Sequence, residues 1–179
     1  MKSTKKSILI TSLLLLTYAI LALSCATTEY LQKGNVSFED DINQKKAMDA
    51  IVYVLSERGF NIQMVNESFG LIESDWKQTS DMADNIGTTI LVGTLTGSNT
   101  YYYKFLKLNF RVTDTGYTVT PLYKQENQKS NNLVNSSTTS GNTSPVKTSP
   151  EAKLAMEIVD EINSMLKIKG AINWQEIKK

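Results

Sequence analysis

Tyr101-Tyr102-Tyr103-Lys104-Phe105-Leu106-Lys107-Leu108-Asn109-Phe110-Arg111-Val112-Thr113-Asp114-Thr115-Gly116 is the stretch on which the fold turns. Its even positions Tyr102, Leu106, Leu108, Phe110 and Val112 are apolar or aromatic, while Lys107, Asn109 and Arg111 are polar. A period of two predicts a strand with one face on a core and the other in water. Thr113-Asp114-Thr115-Gly116 predicts a tight turn, since Asp bonds its own backbone and Gly tolerates turn dihedrals. Tyr117, Val119 and Tyr123 then line a return strand. Pro121 within it predicts a sheet edge, because proline has no N–H to give to a ladder.

Elements on either side extend this hairpin into a sheet with helices. Phe60, Ile62 and Met64 alternate, Asn66–Gly70 reads as a hairpin loop, and Leu71–Lys77 alternates again. Ile72, Ser74 and Trp76 fall on one face of that strand, which predicts Trp76 in the core. Thr88–Leu95 is rich in β-formers. Before the strands, Ala47, Met48, Ile51, Val52, Val54 and Leu55 recur at helical spacing. Ser37 and Asp40 resemble a capped entry, with Glu39, Asp40 and Asp41 at the positive end of the dipole. Arg58-Gly59 ends that helix. After the strands, Ser149-Pro150-Glu151 opens a second helix, striped by Ala152, Ala155, Val159, Ile162 and Leu166 and stopped at Gly170. Ile172, Trp174 and Ile177 are expected to pack back on the domain. The expected fold is α+β over 38–179: an antiparallel sheet of about five strands with the N-terminal and C-terminal helices on one face. Residues 126–149 are dominated by Ser, Thr, Asn, Gln and Lys, which predicts a disordered insert.

The N-terminal region carries an address. Lys2, Lys5 and Lys6 precede an apolar run from Ile8 to Leu23, interrupted only by Thr11, Ser12, Thr17 and Tyr18. Such a run falls short of the ~20 residues that cross a hydrocarbon core comfortably. Basic head, short apolar run and small residues form a secretory signal over 1–24. Leu21-Ala22-Leu23-Ser24-Cys25 resembles the lipobox of bacterial lipoproteins cut by signal peptidase II, and Cys25 is the only cysteine. Ala22 and Leu23 depart from the commonest lipobox pattern. The resemblance implies a Cys25 that becomes the first mature residue and carries acyl chains, which attach a protein durably to a leaflet. An uncleaved anchor and an ordinary secretory peptide are the alternatives. A thiol in an oxidising compartment is a liability that acylation removes. Ala26, not Asp, follows the cysteine, which in enteric-type sorting implies the outer membrane. Residues 25–37 are expected to be a lipidated tether without periodicity.

A second resemblance covers roughly residues 44–77. A helix ending in Gly59-Phe60, a strand, and then Gly70-Leu71-Ile72-Glu73-Ser74-Asp75-Trp76 is similar to the helix-grip domains of envelope lipoproteins, the BamC type of outer-membrane assembly accessory subunit. It implies a binding or scaffolding role in the envelope and transfers no functional residue.

Composition narrows the chemistry. The chain has no histidine, which excludes Ser-His-Asp and Cys-His nucleophiles and histidine metal sites. With 19 Lys and Arg against 18 Asp and Glu, nothing electrostatic points to nucleic acid. Cleavage before Cys25 removes three lysines and no acid, so the basic head serves translocation. Glu39-Asp40-Asp41, Asp81 with Asp84, and Glu73 with Asp75 read as solvated acids, and none supplies a calcium or glycosidase constellation. No P-loop, Gly-x-Gly-x-x-Gly or Gly-x-Ser-x-Gly occurs. The expectation is a non-enzymatic envelope lipoprotein with no catalytic residue, no metal and no cofactor. Its partners are the membrane, through lipid on Cys25, and another envelope protein. A lipid- or glycan-binding module and a cell-wall-acting enzyme are the alternatives. Tyr101, Tyr103 and Trp174 are the candidate contact residues: Tyr101 and Tyr103 as rings on the outward face of their strand, and Trp174, outside the periodic helix, as a cover for a sheet edge or an anchor for a partner.

Overall fold

The computed structural model describes residues 28–38, 41–79, 99–131, 134–139, 141–169 and 172–178. The expected signal peptide 1–24, Cys25 and the expected strand Thr88–Leu95 lie outside the described residues. One compact unit spans Glu29–Ile177, and a second comprises Met1–Thr28 with Lys178–Lys179. The first holds the fold. Its elements are β1 (Glu29–Ser37), α1 (Gln44–Glu57), β2 (Ile62–Asn66), β3 (Leu71–Ser74), β4 (Lys77–Gln78), β5 (Asn99–Thr113), β6 (Gly116–Asn131), β7 (Val134–Thr139), α2 (Pro150–Leu166) and β8 (Asn173–Lys178). This is an α+β fold. Among the described residues eight strands, rather than about five, join one sheet in the order β2-β3-β5-β6-β1-β8, with β4 beside β5 and β7 beside β6.

The β5–β6 hairpin is its spine. It pairs without a shift from Thr113↔Gly116 to Asn99↔Ser130. Leu106, Leu108, Phe110 and Val112 are buried, as are Tyr117 and Val119 on the return strand. They form one cluster with Ile72 of β3, Ile51, Val54 and Leu55 of α1, and Ile158, Val159 and Ile162 of α2. Each such side chain, withdrawn fully from water, contributes about 1.5–3 kcal/mol.

Both helices end by the same device. At α1 the N–H of Gly59 donates to Ser56 and that of Phe60 to Leu55, with Gly59 at φ +70°. Phe60 and Leu55 are both buried, which supplies the hydrophobic contact of a Schellman motif. At α2 the same two bonds run from Lys167 to Ser164 and from Ile168 to Asn163. There the left-handed position (φ +59°) is held by lysine, not glycine, so α2 ends at Leu166, short of the expected Gly170. An L-residue in that conformation costs about 1–2 kcal/mol. Lys167→Gly is therefore expected to stabilise the domain by about 1 kcal/mol in urea denaturation. No gain would mean that Lys167 is held without strain.

Four expectations are corrected. Ser37 ends β1 and does not cap α1; the cap is Asn43, whose side chain accepts from the Lys46 N–H at 2.8 Å. No acid lies in the first turn of α1, and Asp41 precedes the Asn43 cap; Glu39 and Asp40 lie outside the described residues. Residues 29–37 are not a tether but β1, paired to β6 from Gly34↔Val119 to Ser37↔Gly116. The insert 126–149 is not disordered where described: β6 runs on to Asn131, β7 pairs with it from Glu126↔Thr139 to Asn131↔Val134, and Tyr123 and Thr143 exchange two bonds. Backbone groups build that ribbon, so it needs no apolar side-chain pattern.

Pro121, fourth, lies in an interior strand, opposite Leu108. Its backbone faces the β1 side, between Val119, level with Gly34, and Tyr123, bonded to Thr143. The pairs between β1 and β6 run only from Gly34↔Val119 to Ser37↔Gly116, so Pro121 lies just past the end of that ladder.

Candidate functional site

Three surfaces offer chemistry. The first is the β2 edge. β2 pairs with β3 from Ile62↔Ser74 to Asn66↔Leu71, with a register shift between Ile62 and Met64. Among the described residues no strand lies on its other side. Val112 donates to the Gly70 carbonyl, so Gly70 and Ile72 turn their backbone toward β5, and Leu71 and Glu73 toward β2. By alternation Met64 and Asn66 bond to β3, and Val65 directs its N–H and C=O outward.

Met64, Val65 and Phe69 are exposed around this edge, Phe69 to 70%. A one-turn 3₁₀ helix, Glu67–Phe69, follows β2, capped by Asn66, whose side chain accepts from the Phe69 N–H. Gln44, the first residue of α1, holds that turn by donating to the Glu67 carbonyl at 2.8 Å. Between α1 and β2 runs an open groove of about 290 Å³, lined by Met48, Val52, Val65, Glu67 and Asp114 among others. It is too open to enclose a small ligand but fits a side chain of a strand laid on β2.

The second surface is the sheet face that carries Lys107 and Asn109. Lys124 stands 4.6 Å from the Phe105 ring centre and 5.0 Å from that of Trp76, and reaches Glu126 at 2.9 Å. Trp76 is thus not in the core. The strand breaks after Ser74, whose buried hydroxyl accepts from the Leu108 N–H and donates to the Asp75 carbonyl. That break resets the alternation. Lys107 bridges Glu73 at 3.1 Å and Gln63 at 2.8 Å on the same face. Asn109 has a buried Oδ1 without a partner.

Tyr103, half-buried, is opposite Glu126 on this face, two residues from Phe105. Tyr101 takes the next position of the same parity, opposite Gln128; its side chain lies outside the described residues. Trp174 is separate from both. It belongs to β8, packs against the core cluster, and its six-membered ring lies where a Cβ on Gly34 would stand, 2.7 Å away. That contact requires glycine at 34 and makes Trp174 a cover for β1. Cys25, the proposed lipidation site, lies outside the described residues.

The third surface lies between the helices, where Tyr53 and Met165 are 55% and 51% exposed beside Ala50 and Leu166. Sequence reasoning missed the β2 edge and the Lys124 stack. Adjacent apolar residues at Met64-Val65 were the available signal for the first, since strict alternation buries only one of the two.

Among the described residues no group of three or more acids or cysteines is placed to hold a metal ion. No protein family matches the chain, and no curated protein does.

Proposed function

We propose that the chain is a bacterial envelope lipoprotein, held to the membrane through acylated Cys25, with a non-catalytic binding or scaffolding domain that contacts another envelope protein. The outer membrane is the proposed location. We place both helices on one face of the sheet, in a helix-grip-like arrangement, because residues of both share one cluster with β3, β5 and β6. The observation that carries the binding role is the β2 edge: an outward backbone at Val65 beside exposed Met64 and Phe69. Bare edges of this kind accept an added strand, with backbone bonds giving affinity and side-chain pockets giving selectivity.

Val65→Pro tests it. Proline removes the outward N–H and bars a new strand, yet breaks no bond to β3. Affinity purification of the native lipoprotein is expected to recover a stoichiometric partner with Val65 or with Val65→Thr, and at least about tenfold less with Val65→Pro, a loss of about 1.4 kcal/mol or more. Unchanged recovery by a folded Val65→Pro protein would sink the edge as the site.

A second reading, a glycan-binding module, has one observation in its favour: the Trp76–Lys124–Phe105 stack on the open face. Aromatic rings with flanking polar groups suit sugar faces. Cell-wall glycan fragments that changed Trp76 fluorescence saturably would favour it over the first.

A further inference from the structure

The β2 edge offers more than a bare backbone. Val65 is paired with Ile72, which is buried in the cluster shared with the helices, so the Val65 side chain lies on the helix side of the sheet. In a strand laid antiparallel on β2, the residue opposite Val65 exchanges both backbone bonds with it. Directly opposed residues project to the same face, so that one side chain enters the groove between α1 and β2. Register and face are thereby fixed for one position of the partner.

The lining of the groove says which side chain suits it. Met48 and Val52, one turn apart on α1, stand with Val65 as apolar walls. The charged lining residues are three acids, Asp49, Glu67 and Asp114, against one lysine, Lys45. Lys45 and Glu67 answer each other at 3.9 Å. Asp49 and Asp114 are exposed and have no ion-pair partner among the described residues. Lys46 shares the neighbouring hollow between the helices with Asp49 but does not bridge it, which leaves Asp114 the freer of the two carboxylates. Residues 39–40, 80–98, 132–133, 140 and 170–171, outside the description, contain no lysine or arginine. Two carboxylates outweigh the roughly half positive charge that the α1 N-terminus brings to the same groove. A long aliphatic stem with a cationic tip matches these apolar walls and this acidic rim, since such side chains bury their stems and keep their charge in water. A second copy of the chain does not supply one from its own edge, because β2 reads Ile-Gln-Met-Val-Asn, without a charge.

We propose that the strand accepted by the β2 edge comes from a different protein and carries lysine or arginine opposite Val65, its stem on Met48, Val52 and Val65 and its cationic tip answered by Asp114 and Asp49. The inference rests on the edge reading above and adds the side chain that the edge selects.

Peptide binding tests it on the full acylated lipoprotein in micelles of uncharged dodecyl maltoside. The probes are short, capped, rhodamine-labelled peptides of alternating threonine and valine with lysine, norleucine or glutamate at the centre, and anisotropy reads their binding. The lysine peptide is expected to bind about fivefold more tightly than the norleucine peptide, the scale of an exposed ion pair, and the glutamate peptide most weakly. Asp49→Asn with Asp114→Asn is expected to erase the lysine preference and leave norleucine binding in place. Glu57→Gln removes an exposed acid at the other end of α1 and is expected to leave the preference unchanged. Equal binding of all three peptides, abolished by Val65→Pro, would overturn the cationic selectivity and leave the edge as the binding site. A lysine preference that survives the paired Asp substitutions would overturn the groove as its source. Binding that a folded Val65→Pro protein retains, or no binding of any peptide, would overturn this inference together with the edge reading.

Discussion

Gly70→Ala is expected to destabilise the domain by about 3–5 kcal/mol, from a left-handed backbone and a steric clash acting together. Gly70 sits at φ +63° between the 3₁₀ turn and β3. A Cβ there would stand 1.9 Å from the Val112 carbonyl oxygen and 2.8 Å from the Gln44 amide nitrogen. The first is backbone of the central hairpin and cannot swing aside. The Gly70 carbonyl also accepts from the Val112 N–H at 2.7 Å, so displacing the chain breaks the first bond between β3 and β5. Domains of this size hold about 5–15 kcal/mol in all. Gly70→Asn separates the causes. Asparagine tolerates left-handed dihedrals but keeps the Cβ, so the clash predicts a loss close to that of alanine. Urea denaturation followed by circular dichroism measures both. A near-neutral Asn variant would show that dihedral preference alone selects glycine, and losses under 1 kcal/mol for both would refute the packing. Because Gly70 joins β2–β3 to β5, the same variants should disable the binding proposed for the β2 edge.

What was legible in the sequence follows from where the apolar signal is written. The β5–β6 hairpin is readable because Leu106, Leu108, Phe110 and Val112 all face one core. The helices are readable because their stripes pack on it. β1 is not, and the reason is Gly34. It occupies a core-side position, level with Val119, that carries no side chain of its own; the Trp174 ring fills it from the far end of the chain. Leu31 and Val36 are both buried, yet five residues apart, so they break the period of two. β7 escapes for another reason. Its Val-Asn-Ser-Ser-Thr-Thr sequence joins β6 through backbone bonds, which leave no mark in a hydropathy pattern. Trp76 was misplaced because one irregular step after Ser74 inverts the side on which every later residue falls. The candidate site was the least legible part. That β2 is an edge depends on the strand order of the whole sheet, and nothing local to Ile62–Asn66 encodes it.

At alkaline pH the domain should lose stability through the buried Tyr117 phenol. Tyr117 lies beside Phe110 and Phe38, with ring centres 6.0 and 6.1 Å away, and its hydroxyl donates to Asn163 Oδ1 at 2.7 Å. Burial first, and the nearby Asp160 carboxylate second, push its ionisation far above the ordinary value of 10.0. The unfolded chain releases this proton near pH 10, whereas the folded chain retains it. Below pH 10 the two states bind the same proton and Tyr117 gives no pH dependence. Above it the folded state holds one proton more, so stability falls by about 1.4 kcal/mol per pH unit from this group alone. Tyr117→Phe should cost about 1–3 kcal/mol at pH 7, because it leaves the buried Asn163 carbonyl without a donor. The same variant should flatten the decline above pH 10. The substitution changes no other ionisable group, so the difference between the two curves isolates Tyr117. Urea midpoints at pH 7, 9, 10.5 and 11.5 measure it. Parallel curves would mean that Tyr117 ionises in the folded state as readily as in the unfolded chain, and that water reaches its hydroxyl at the joint between α2 and the sheet.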